Sequence, residues 1–249
     1  MDSLKDIRIG FVSYYKSLEF ILVNNLWFYF LFPAVLALIL FFTGDAIRGQ
    51  LQSVNFNAID KEDYYQMLIV GLKGVFVFVA FKLNKVVLLI VLSPILALLS
   101  AKTEKLLAGN TYPFTFQQFA KDINRGISIA VRNAMVQLVF IGLWLSLCLF
   151  VGELLDYTWW FIFFLGFYFY GFSLIDYINE RRKVNMEESI LFVRKHFGLT
   201  LIIGGLFSTF FLIPIAGVII APITGIVAAT LGVHAIVDLK KDHSEEKEL

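Results

Sequence analysis

The chain has 249 residues, 59% of them hydrophobic and only 16% charged, whereas roughly a quarter of residues are charged in an average soluble domain. Its 21 Lys and Arg nearly balance 20 Asp and Glu, for a net charge of +1, which argues against nucleic acid as a partner because neutralising phosphates takes a clustered basic excess. These proportions predict an integral membrane protein, and no linker or low-complexity stretch divides residues 1–249 into more than one domain.

In chain order, Ile7 to Glu19 mixes Arg8, Lys16 and Glu19 with Phe11, Tyr14, Tyr15 and Leu18. That pattern suits a helix lying in the membrane interface, and it equally suits a simple extension of the helix that follows. Phe20 to Gly44 carries no charge and is interrupted only by Pro33, so it predicts the first crossing. It exceeds the apolar core of a signal peptide and lacks a small-x-small cleavage site, so it is expected to stay as an anchor.

The connection from Asp45 to Gln66 is polar and mostly acidic. Tyr64 to Leu99 is apolar apart from Lys73, Lys82, Asn84 and Lys85, and predicts one long helix ending before Pro94. After a turn signal at Asn110 to Pro113, Phe116 to Asn133 leads into the charge-free run Ala134 to Gly152. A second such run, Tyr157 to Ile175, follows after only Glu153 to Asp156, which predicts a tight helical hairpin with an acidic turn.

No Asp, Glu, Lys or Arg then occurs between Lys195 and Asp238, a stretch of 42 residues containing Pro214 and Pro222. One crossing takes about 20 residues, so this run goes in and comes back. Its apolar legs, Phe197 to Ile213 and Ile223 to Val237, have 17 and 15 residues. At about 1.5 Å per residue each falls short of a hydrocarbon core of about 30 Å. The expected turn, Pro214 to Pro222 with Gly217 inside it, would lie at membrane depth; two tilted helices in a thinned bilayer are the alternative.

Lysine and arginine mark the cytoplasmic side. Lys102, Lys105, Lys121, Arg125 and Arg132 fall in one connection, and Arg181, Arg182, Lys183, Arg194 and Lys195 in another, whereas the Glu153 to Asp156 turn has none. Both termini are therefore expected inside. The fold class expected is all-α: about four crossing helices, an N-terminal interfacial helix and a C-terminal re-entrant or short-legged hairpin.

Candidate functional residues are few. Ionisable side chains inside membrane segments are candidates because each costs about 2.5 to 3.5 kcal/mol at a helix centre. Lys73 is the deepest and suits an anion path or a pair with an acid such as Asp176, while snorkelling accounts more simply for Lys82 and Lys85. Arg125 and Arg132, seven apart on one helical face, suit a cationic mouth to an anion path or an anchor to anionic headgroups. Asp176 suits a structural pair with Arg181 or Arg125. Asn24 and Asn25 offer amides at the start of the first crossing, where Trp27, Phe28 and Tyr29 read first as an interfacial aromatic belt.

His196, His234 and His243 lack ligand spacing, so no metal is expected. Cys148, the only cysteine, precludes a disulfide framework within one chain. Gly204, Gly205 and Gly225 read as close helix packing rather than a phosphate loop. No catalytic constellation and no cofactor motif emerges, so an enzyme is not expected.

Several of these residues together resemble the CysZ sulfate-transporter family, which is joined with the eukaryotic etoposide-induced endoplasmic-reticulum membrane proteins. Gly10-Phe11 and Pro33 are similar to its opening, Ser93-Pro94, Glu104 and Gly109 to its Pro, Glu and Leu-x-Gly element, and Asp122 and Arg125 to its Asp-x-x-Arg. Asp176-Tyr177 with Lys183-Val184 and Glu188 resembles its Asp-Tyr signature with a downstream Lys-x-x-x-x-Glu. Gly204, Ser208, Ile213-Pro214, Pro222 and Ala229-Thr230 match in order and spacing.

The resemblance implies a bacterial inner-membrane protein that self-associates, has partly penetrating hairpins and admits sulfate. The family's Gly-Ile/Leu-Arg-Arg element is associated with sulfate binding, yet the matching positions here are Asn25, Leu26, Trp27 and Phe28. Without that pair of guanidinium forks the expected substrate widens from sulfate to a small inorganic anion. A non-transporting membrane scaffold is the rival expectation. The lipid bilayer is the other partner.

Overall fold

A computed structural model describes residues 3–38, 91–109, 116–213 and 215–237, with the side chains of 116–123 and 130 left aside. Every regular element among the described residues is a helix: α1 Ser3–Val23, a 3₁₀ turn Leu26–Phe30, α2 31–38, α3 91–108, α4 Phe116–Phe150, a 3₁₀ turn Gly152–Tyr157, α5 Thr158–Arg181, α6 Met186–Lys195, α7 Phe197–Phe210 and α8 Ala216–Ile236. Among the described residues three stretches are long and apolar enough to cross a membrane: Asn124–Phe150, Gly152–Arg181 and Ala216–Ile236. The number rises to five if two sharply bent helix pairs each count as a span. The chain is thus a multi-pass membrane protein.

The hairpin of α4 and α5 forms where two charge-free runs flank an acidic turn, and Trp144 fastens it. Its ring stacks on Phe161 with centroids 4.2 Å apart, and its Nε1 donates to the Thr158 hydroxyl. The first crossing does not run unbroken from Phe20. Asn25 takes a left-handed conformation, φ 53°, and the chain turns through 107° between Ser3–Val23 and Leu26–Leu38. Asparagine tolerates that conformation better than its apolar neighbours would, which places the corner there. The amphipathic helix therefore extends to Val23, with Gly10, Ser13, Tyr14, Ser17 and Ile21 buried against α7 and α8.

At the C-terminal end α8 is apolar all round and lies at the centre of the described helices, with residues 221–230 all buried. A helix with no polar face requires cover on every side. Close backbone-to-backbone approach, however, occurs between α5 and α7. A Cβ on Gly204 would collide with the Phe167 carbonyl oxygen and the Gly171 nitrogen, and one on Gly171 with the Thr200 carbonyl. In lipid, where apolar side chains gain little by leaving the bilayer, such contact between small residues is a principal source of helix association.

The turn expected at Pro214 to Pro222 is shorter. Helix α7 ends at Phe210, α8 begins at Ala216, and Pro222 lies inside α8 as its seventh residue. The C-terminal leg therefore has 21 residues rather than 15, about 31 Å and long enough to cross, while the 14 residues of α7 give about 21 Å. The hairpin has one short leg, not two. Gly217 sits in the first turn of α8, where a Cβ would come within 2.9 Å of the Phe211 Cα. Pro214 lies outside the described residues.

Likewise helix 91–108 runs through Pro94 instead of ending before it, and stops at Gly109, φ 77°. The Asp45 to Gln66 connection, the Asn110 to Pro113 turn, Lys73, Lys82, Lys85 and His243 also lie outside the described residues, as does the side chain of Asp122.

Candidate functional site: a buried charge clamp and two basic cavities

The basic connections meet at one end of the bundle, and there the charged side chains divide into those that neutralise one another and those that do not. Asp176, on α5 with its side chain 4% exposed, pairs with Arg125 of α4. Arg125 donates through Nη2 to Oδ1 at 3.0 Å and through Nε to Oδ2 at 3.3 Å. Its Nη1 reaches the Val184 carbonyl at 2.7 Å, and the Ser189 hydroxyl donates to Asp176 from the other side. This is the planar, two-pronged geometry that arginine makes and lysine does not.

Arg181, about one and a half turns further along α5, pairs with Glu104 of α3 at 3.2 Å and not with Asp176. Five residues separate Arg181 from Asp176, which puts them on opposite faces of the helix. Arg181 also donates to the Tyr177 carbonyl at 3.1 Å and to the Ser100 hydroxyl at 2.7 Å. Ser100 is 2.7 Å from the Thr230 hydroxyl, and Thr230 itself donates to the Ile226 carbonyl. Since Thr230 has spent its one proton there, Ser100 is the donor between them. A relay of donors thus joins α5, α3 and α8.

The segment after α5 is built to hold this arrangement. The Val184 N–H bonds to the Asn179 carbonyl and the Lys183 N–H to the Glu180 carbonyl, with Lys183 left-handed at φ 55°. That is a Schellman ending with lysine where glycine is usual. Asn185 then caps α6 in a reciprocal box with Glu188, at 2.8 and 3.3 Å. Asp176, Lys183-Val184 and Glu188 all belong to this one corner.

Basic side chains without a carboxylate partner among the described residues line two of the cavities at this end. The larger, of about 690 Å³, lies between α1, the end of α3 and the end of α8. Lys5, Arg8 and Lys16 line it together with Glu19, Asn24 and His234. The His234 Nδ1 is buried there with no hydrogen-bond partner among the described residues. Among the described residues, three bases against one carboxylate make the wall cationic by two charges. The second cavity, about 510 Å³, has Arg132 and Arg194 on its wall.

The expected path residues are therefore not brought together. Asn24 lines the first cavity and Arg132 the second, Asn25 forms the exposed corner after α1, and Arg125 is committed to Asp176. Lys5, Arg8, Lys16 and His234 escaped sequence reasoning as path candidates. A signal was present: residues 5, 8, 12 and 16 fall on one helical face, and three of those four are basic. Trp27 and Phe28 are exposed, at 60% and 56%, as an interfacial belt would be. Among the described residues no three His, Cys, Asp or Glu side chains gather as a metal site.

Two comparisons with known proteins bear on this geometry. A family model described as sulfate transporter CysZ/etoposide-induced protein 2.4 matches residues 13–222, most of the chain. No curated protein matches the chain.

Proposed function

Because the chain belongs to the sulfate transporter CysZ/etoposide-induced protein 2.4 family, we propose that it is a channel or transporter for small inorganic anions of the sulfate kind. It works as a single membrane unit in a bacterial inner membrane, as a homo-oligomer with both termini in the cytoplasm and with no enzymatic step. The observation that supports this most is the cavity under α1. An oxyanion carrying two charges needs about two compensating charges and several donors, and Lys5, Arg8, Lys16, Asn24 and His234 line one space.

The lysines also bear on selectivity. A lysine is a mobile point charge, whereas paired arginines impose a fixed fork on a tetrahedral oxyanion. With Trp27 and Phe28 where the family has its arginines, discrimination among sulfate, sulfite, thiosulfate and phosphate is expected to be weak. Uptake of these labelled anions into liposomes holding the purified protein tests the proposal; uptake no greater than in empty vesicles for all four would refute it.

One observation favours the rival reading of a non-transporting scaffold. Arg125 and Arg181, two of the basic residues closest to the crossing helices, are spent on structural pairs. The scaffold reading predicts no uptake of any of the four anions.

A further inference from the structure

We propose that the second cavity, between α4, α5 and the α6–α7 corner, is a binding site for one anionic glycerophospholipid. Its phosphodiester would sit between Arg132 and Arg194, and an acyl chain would lie along the apolar track below.

Three features point to that ligand. First, among the described residues the only charged ones lining the cavity are those two arginines, and no carboxylate faces it. Arg132 is held over the Phe172 ring, 5.8 Å from its centroid, a contact that positions the guanidinium without neutralising it. Arg194, at the end of α6, is exposed, and neither arginine has a carboxylate partner among the described residues. This sets them apart from Arg125 and Arg181 at the same end of the bundle, both of which are paired.

Second, the cavity is polarised along its length. Arg132, Val136 and Phe140 stand at successive turns of one face of α4 and all line it, so the wall passes from cationic to apolar over about 12 Å. Because α4 and α5 form an antiparallel hairpin, Phe172 flanks the arginine end while Phe164 flanks the far end, opposite Phe140. A free oxyanion leaves that apolar length empty, and a neutral lipid leaves two guanidinium groups without a counter-charge. An amphiphile whose phosphodiester headgroup carries a net negative charge satisfies both, whereas in a zwitterionic lipid the headgroup's own cation already balances the phosphate.

Third, the depth fits. The arginine end lies beside the basic Asp176 to His196 connection, and the track leads into the charge-free run Ala134 to Gly152. A headgroup at the cytoplasmic surface with its chain in the hydrocarbon has that disposition.

The test is native mass spectrometry of the purified full chain in a neutral detergent, titrated with phosphatidylglycerol and with phosphatidylcholine of the same acyl chains. Wild type is expected to retain phosphatidylglycerol about twentyfold better, a preference that falls about fivefold in each of Arg132→Gln and Arg194→Gln and to near parity in the double variant. Arg132→Lys with Arg194→Lys should keep most of the preference, and excess inorganic phosphate should not displace the lipid. Equal retention of the two lipids by wild type would overturn the proposal without reference to any variant. So would undiminished phosphatidylglycerol binding in the double glutamine variant. Displacement by inorganic phosphate would make this a free-anion site instead, and a changed oligomer mass in the lipid-free double variant would make it an interface between copies.

Discussion

Arg125 holds a carboxylate, a carbonyl and two helices with one guanidinium, so its loss leaves the Asp176 carboxyl buried without its cationic partner. Breaking such a pair costs about 3 to 5 kcal/mol. The Arg125 side chain is 20% exposed and water screens part of that cost, whereas Arg181 and Glu104 are 9% and 1% exposed. Glu104→Gln is therefore expected to destabilise more than Arg125→Gln, by about 4 against about 3 kcal/mol in denaturant titrations of the detergent-solubilised protein. Glu104→Leu combined with Arg181→Met should restore much of the loss, because two matched apolar side chains leave no charge stranded. Lys183→Gly should instead stabilise by about 1 kcal/mol, since only glycine adopts its left-handed conformation without cost. Sequence reasoning reached Asp176 and named Arg125 and Arg181 as alternative partners. The five-residue spacing along α5 argues against Arg181 as that partner, but it does not say which helix Asp176 faces or that Arg181 meets Glu104.

At the scale of the element, two prolines depart from expectation. Pro33 lies within a helix as expected, but so do Pro94 and Pro222, where the sequence pointed to boundaries. The boundary rule was learned in water, where the carbonyl freed by proline is easily hydrated and the chain is free to turn. Inside a membrane bundle a turn exposes more unpaired backbone than a helix with one missing bond, so the helix continues. The α4–α5 hairpin was legible because its signal is charge, which the bilayer sorts without regard to packing. Glycine was legible in kind but not in partner: Gly204 read as a close contact, and the structure supplies Phe167 and Gly171 as the surface it meets. Gly204→Ala is expected to cost about 3 kcal/mol, because the atoms in the way are backbone and cannot rotate aside. Gly142→Ala, with nothing within 4 Å of the added methyl, should stabilise α4 by a few tenths to about 1 kcal/mol. Unfolding of both variants in one detergent separates the two outcomes.

For the whole molecule, the charge pattern predicts its orientation. In a Cys148→Ser background, Glu153→Cys should react with an impermeant thiol reagent from outside intact cells, and Glu187→Cys only after the membrane is opened. The same partition of charge underlies the functional account: at the basic end, Arg125 and Arg181 are consumed in the clamp, while Lys5, Arg8 and Lys16 remain around the α1 cavity. The clamp joins helices, and the cavity is the part with charge to offer an anion. The most direct measurement is the initial rate of labelled oxyanion uptake into liposomes holding wild type or Arg8→Gln with Lys16→Gln, at matched protein content and oligomer mass. Wild type is expected to take up the anion, with a fall of at least about tenfold in the double variant as two charge-assisted contacts are lost. Equal rates in the two would contradict it.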